Sequence, residues 1–331
     1  MAVSSFAAAG GAKTRPKDNV KVTPAIDKTI KGALAYLASK QKTNGSWGES
    51  SEESRHPVAI TGYTLMAFQA AGNLPGEGPY GKNVKKGMEY LLNVMDNSGI
   101  FGGANGQYMY GHGIATIALA ELYGQTRDKK IREKLEKAIK VIIASQNSQG
   151  GWRYRPVARD ADMSVTVLQV VALRAAKNGG IDVPKRTIEN AVKYLKACNH
   201  AGSGGVSYQP GSGPGYARTA AAIYSLQVCG LYDDPMVAKG SKYLFANHSH
   251  TQQWYVYGNF YAAPAQYMIG GETWERWYKL VSDTLTKSVV NDGKFTYWKR
   301  HNHGGVGSIY TTAVFTMMLS MPYHYIPLYQ R

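Results

Sequence analysis

Two stretches of this chain, QKTNGSW ending at Trp47 and QNSQGGW ending at Trp152, spell the same pattern, Q-x-x-x-G-x-W, two periods of roughly 52 residues apart. Each follows a helix with a striped apolar face and precedes a second helix, so each marks the turn of one helical hairpin. Self-similarity at that period restricts the fold to hairpins packed side by side, each burying its neighbour's apolar face.

Six hairpins in all can be read in this way. The first runs over 25–40, resumes at His56-Pro57 with Pro suited to the first helical turn, and stops at Gly72. The second pairs 84–94 with 111–123, and the third pairs 131–145 with the helix that opens after Asp160 and Asp162. The fourth pairs 187–198 with 216–229, the fifth 237–246 with 259–269, and the sixth 274–290 with 308–321.

The second helices, such as IATIALAEL and VTVLQVVAL, are apolar nearly all round, as a helix enclosed on every side must be. The first helices are striped and carry lysines at helical spacing, as in Lys129, Lys130, Lys134, Lys137 and Lys140, so they belong outside. The expectation is an all-α (α/α)6 toroid: six helical hairpins forming an inner and an outer ring of helices. A single domain over 25–331 should follow a disordered basic tail over 1–24.

The 331 residues contain no apolar run long enough for a transmembrane helix, and the first two dozen lack a signal-peptide core, so a soluble chain is expected and its compartment stays open. Lys and Arg outnumber Asp and Glu by 38 to 22, which favours anionic partners, and no nucleic-acid motif accompanies them. Cys198 and Cys229 are too few for a disulfide scaffold and should lie at opposite ends of a helix pair. No cofactor is expected. A metal site of Asp160, Asp162, His112 and His303 has no ligand spacing behind it, and no metal is expected either.

The Q-x-x-x-G-x-W matches at Gln41 to Trp47 and Gln146 to Trp152 resemble the repeat motif of terpenoid cyclases and protein prenyltransferases, with degenerate forms at 99–101, 204–206 and 293–295. The resemblance implies the same toroid and a structural role for Gln41, Trp47, Gln146 and Trp152, the indole packing and the amide satisfying helix-end groups. It also places Asp160-Ala-Asp162 where class II cyclases carry D-x-D-D-T, which implies Asp162 as the proton donor and Asp160 as its neighbour. Met163 stands at the third aspartate of that motif.

All inner helices of such a ring start at one end. His56, Tyr110, His112, Asp160, Asp162, Tyr216, Arg218, Tyr257 and Asn259 should therefore converge on one mouth, joined by His301, His303 and Tyr310. Plainer roles compete: Asp162 as a helix cap, Asp160 paired with Arg155 or Arg159, and the 24 tyrosines as filling between repeats. Three functions stand open. One is a cyclase-like toroid holding an isoprenoid, and another is a lyase or hydrolase of an acidic polysaccharide using Tyr257, Asn259, His303 and Arg218. The third is a non-catalytic binding or scaffold ring. The expected partner is thus a hydrophobic or anionic small molecule or polymer.

Overall fold

Each hairpin begins with an outer helix whose buried residues recur every third or fourth position. In the computed structural model, which describes residues 18–102 and 108–329, the outer helices are α1 (Pro24–Ser39), α4 (Gly81–Val94), α6 (Lys129–Ala144), α8 (Lys185–Ala197), α10 (Pro235–Ala246) and α12 (Gly271–Ser288). On α6, for instance, Ile131, Leu135, Ala138, Ile139 and Ile142 are buried while the lysines between them face outward. Most of the stretch expected as a tail lies outside the described residues, and α1 starts where Thr23 caps it by accepting from the Ile26 N–H.

The inner helices are α3 (Pro57–Ala70), α5 (Tyr108–Thr126), α7 (Met163–Asn178), α9 (Tyr216–Val228), α11 (Tyr255–Ile269) and α13 (Ser308–Ser320). Nearly every residue of α3 and α13 is buried, polar ones included. Consecutive inner helices pack against each other, and α13 packs against α3, so the ring closes as the toroid anticipated from the repeats. No described helix is long and apolar enough to cross a membrane.

A one-turn helix that the sequence did not announce, α2 (Ser51–Arg55), locks the seam between the first and last hairpins. Ser50 and Glu53 form a capping box around it. The buried Glu53 carboxylate also accepts from the Tyr310 N–H at 2.9 Å, while the Ser50 hydroxyl donates to the Val306 carbonyl at 2.9 Å. Opposite the mouth, the segment carrying Ile326 and Leu328 covers the far ends of the inner helices. There Leu328 N–H donates to Glu121 Oε2 at 3.1 Å.

The repeat turns share one set of bonds. Trp47 and Trp152 donate their indole N–H groups to Leu37 and Ile142 carbonyls, both at 2.7 Å, and their backbone N–H groups to Thr61 and Thr166 hydroxyls on the inner helices. Gln41 and Gln146 reach the next hairpin, donating to the carbonyls of Asn83 and Thr187 at 2.9 Å. A Cβ on Gly150, which has φ 96°, would strike the Asn190 carbonyl, so the turn requires glycine. The sixth hairpin uses Trp298, bonded to Leu285 and Thr312, in the same way; the counterpart is Trp298 rather than the 293–295 segment.

In the fourth hairpin the turn is a three-stranded meander of β1 (Asn199–His200), β2 (Gly205–Ser207) and β3 (Pro214–Gly215). It positions Tyr208 beside the mouth. Cys198 and Cys229 end α8 and α9, at opposite ends of the pair, and both are free thiols.

Candidate functional site

The first turns of the inner helices surround a cavity of about 820 Å3 at one end of the ring. Tyr63 and Tyr310 meet edge to face on its floor, with ring centroids 5.0 Å apart. Tyr110, Ser164, Tyr216 and Tyr257 line it from α5, α7, α9 and α11, and the connecting loops add Tyr154 and Tyr208. Polar groups also line it: Glu52, His56, Arg218, Gln252, Gln253 and Arg300. The aliphatic contribution is small, Ile60 and Val306 with a few alanines.

The hydroxyls in this lining are organised. Tyr110 donates to Ser164 Oγ at 2.5 Å, and Ser164 donates to Asp162 Oδ1 at 2.6 Å. Tyr257 donates to the Ser164 carbonyl at 2.7 Å, and the hydroxyls of Tyr154 and Tyr208 lie 2.6 Å apart. Burial raises the phenols of Tyr110, Tyr216, Tyr257 and Tyr310, so at neutral pH the cavity presents hydroxyls rather than phenolates.

Asp162 sits one layer behind the wall. It caps α7, with Oδ1 accepting from Val165 N–H at 3.1 Å, and is fully buried. Arg153 Nε lies 3.3 Å from Oδ2, yet that contact is not aligned as a hydrogen bond. Burial raises the Asp162 carboxyl above the ordinary value against the pull of Ser164, Val165, Tyr208 and Arg153. Asp160 is half exposed and pairs with Arg153 at 2.6 Å, rather than with Arg155 or Arg159.

Of the residues expected at the mouth, His56, Tyr110, Tyr216, Arg218, Tyr257 and Tyr310 line the cavity. His112 does not. It takes the place that threonine holds in four of the other hairpins: Nδ1 accepts from Phe101 N–H at 3.4 Å and Nε2 lies 3.2 Å from the Ala138 carbonyl of the outer helix. Burial pushes its imidazole down to about 4. Asn259 is also buried, accepting from the Tyr216 hydroxyl at 2.8 Å and donating to the Tyr255 carbonyl. His301 stacks on Tyr255, with His303 5.7 Å from it, behind the cavity wall. Among the described residues no three His, Cys, Asp or Glu side chains are grouped to hold a metal ion.

Sequence reasoning passed over Glu52, Tyr63, Trp254 and Arg300. Tyr63 lies seven positions after His56, two helical turns along the same face, and that spacing was available to be read. Trp254 had no such sign. It adopts the left-handed region, φ 63°, immediately before α11, which turns its ring over Gly304 and leaves it half exposed at the rim.

A family model described as "Domain of unknown function (DUF6288)" matches residues 26–329. No curated protein matches the sequence. Among solved structures, an inactive variant of the alpha-1,6-mannanase GH76A of Salegentibacter sp. HEL1_6, in complex with alpha-1,6-mannotriose, aligns with TM-score 0.65 at 11% identity, covering 91% of this chain and 99% of that one. Cellobiose 2-epimerase from Bacillus thermoamylovorans B4167 aligns with TM-score 0.65 at 13% identity, covering 89% and 98%. The type II terpene cyclase MstE from Scytonema, without ligand, aligns with TM-score 0.59 at 14% identity, covering 92% and 100%. At these identities the likeness is one of fold, the α/α toroid.

Proposed function

The chain belongs to the family described as a domain of unknown function, DUF6288, and we propose that its cavity binds an acidic polysaccharide and cleaves it as a lyase. The ring is shared by neighbours described as acting on saccharides and by a terpene cyclase, so the choice rests on what lines the cavity.

The observation that carries the reading is the composition of that lining: seven tyrosines and Trp254, with Arg218 and Arg300 at the rim. Aromatic faces stack on the C–H faces of sugar rings while phenol hydroxyls and Gln252 or Gln253 bond to sugar hydroxyls. The two guanidiniums suit a uronate carboxylate, in keeping with the net charge of +16. Glu52 is the one carboxylate among the described lining residues, whereas hydrolysis by the usual two-carboxylate route needs a pair. Elimination needs a proton acceptor and a neutralised carboxylate, and a tyrosine hydroxyl able to hand its own proton on as it accepts one, together with the arginines, suits that need.

A second reading, an isoprenoid ligand protonated by an acid, draws on the raised carboxyl of Asp162. It has less support from the walls, which among the described residues are built of tyrosine rings with polar and charged groups and hold neither Phe, Leu nor Met. Titration calorimetry with oligogalacturonate, oligoalginate, mannotriose and geranylgeranyl diphosphate separates the readings. Binding of an acidic oligosaccharide, weakened about tenfold in Arg218→Gln with Arg300→Gln, is expected. Binding of the diphosphate in preference would favour the isoprenoid, and binding of none a scaffold ring.

A further inference from the structure

We propose that Tyr110, Ser164 and Asp162 form a proton relay in which Tyr110 takes a proton from the bound sugar and the buried Asp162 carboxylate receives the displaced one. This rests on the acidic-saccharide reading for its substrate, but the relay itself is a feature of the hydrogen bonding. Tyr110 lines the cavity and donates inward to Ser164 Oγ at 2.5 Å, so the remaining lone pair on its oxygen is directed away from Ser164, and Ser164 donates onward to Asp162 Oδ1 at 2.6 Å. Both donors point the same way, from the cavity to the carboxylate.

Helix capping alone does not account for Asp162. The cap uses Oδ1, which accepts from Val165 N–H, and a capping residue has no need to be enclosed. Yet Asp162 is fully buried, and its Oδ2 faces Arg153 Nε at 3.3 Å without an aligned hydrogen bond among the described residues. A buried carboxylate with one oxygen so placed is costly, and the cost falls when the carboxyl is protonated. Burial raises this carboxyl, which makes it a better final acceptor. Tyr110 could not hold the negative charge itself, since burial opposes its ionisation; the chain moves the charge to Asp162 instead.

In the reaction, the C5–H bond of a uronate breaks and its proton joins Tyr110 Oη. The Tyr110 proton passes to Ser164 Oγ, and the Ser164 proton passes to Asp162 Oδ1. The C–H electron pair becomes the C4=C5 double bond as the C4–O bond breaks. Returning along the same chain, the proton is delivered from Tyr110 to the leaving oxygen, and the protein ends as it began. Arg218 and Arg300 are the rim groups available to neutralise the sugar carboxylate while charge develops. Tyr110 is the catalytic residue here, and Ser164 and Asp162 act through it.

Three variants, Tyr110→Phe, Ser164→Ala and Asp162→Asn, test this on the full chain, with asparagine retained as a capable cap. Against polygalacturonate and alginate, turnover read by the absorbance of the unsaturated product should fall roughly 100- to 10,000-fold, with oligosaccharide Kd within about threefold, and Ser164→Thr should restore most of it. Unchanged turnover with retained binding overturns the relay. A substrate-free measurement keeps the two ideas apart: in NMR of 13C-aspartate protein, Tyr110→Phe should shift the titration of Asp162 through Ser164. Absence of any shift overturns the relay even if sugars bind. Absence of any binding overturns the saccharide reading even if the shift is seen.

Discussion

Trp152 N–H donates to Thr166 Oγ1 at 3.1 Å, and the same bond, fourteen positions across the turn, recurs between Trp47 and Thr61 and between Trp298 and Thr312. It fixes each turn to the first part of its inner helix, hence the residues of the mouth to one another. Thr166→Val keeps the shape and leaves a buried N–H unpaired, so chemical denaturation should show a loss of about 1–3 kcal/mol. A variant as stable as the parent would mean that the bond only accompanies the packing.

Gly150 is expected to tolerate nothing larger. With φ 96° and the Asn190 carbonyl against the position of a Cβ, Gly150→Ala combines backbone strain with a clash and should cost about 2–4 kcal/mol. The comparison is Gly180→Ala, also at positive φ (90°) but with open space around it, which isolates the backbone part. Equal losses at the two sites would count against the contact.

Glu121 gives a prediction in pH. Burial pushes its carboxyl up to about 7, against the Leu328 N–H bond, from an ordinary value of 4.5. The folded state therefore favours the protonated form. The contribution is fully present below about pH 4.5 and lost as pH rises through about 7. His112, pushed down to about 4, works in the opposite sense over much of the same interval, so the informative quantity is the difference between variants. Glu121→Gln should melt higher than the parent at pH 8, the gap closing toward pH 4. Parallel melting profiles would refute the assignment.

Trp254 should matter for ligand and little for fold. Its ring is half exposed at the rim, and its backbone bonds, to the His303 carbonyl and from Gly258 N–H, survive truncation. Trp254→Ala is expected to weaken acidic oligosaccharide binding about tenfold, ~1.4 kcal/mol, with the melting temperature nearly unchanged. Calorimetry on both proteins checks it, and equal affinities would remove the indole from the site.

The ring itself was legible because it follows from periodicity: apolar inner helices, striped outer ones and two full copies of a turn. The site was legible only where position along an inner helix determines direction, as for Tyr110, Tyr216 and Tyr257. His112 shows the limit. Alignment by helix start gave it to the mouth, but a one-residue difference on a helix turns a side chain by about a quarter of a circle, and it faces the outer ring instead. Trp254 and Arg300 come from loops, where no period constrains direction. α2 was missed since five residues are too few to carry an amphipathic signature.

The clasp of Glu53 on Tyr310 joins residues 257 positions apart in the chain. During synthesis, hairpin one emerges long before its final neighbour, with one flank of α3 bare and the Glu53 carboxylate short of an amide. Closure of the circle therefore waits for α13, and a contact of such long range forms late, leaving the apolar flank of α3 uncovered in the meantime.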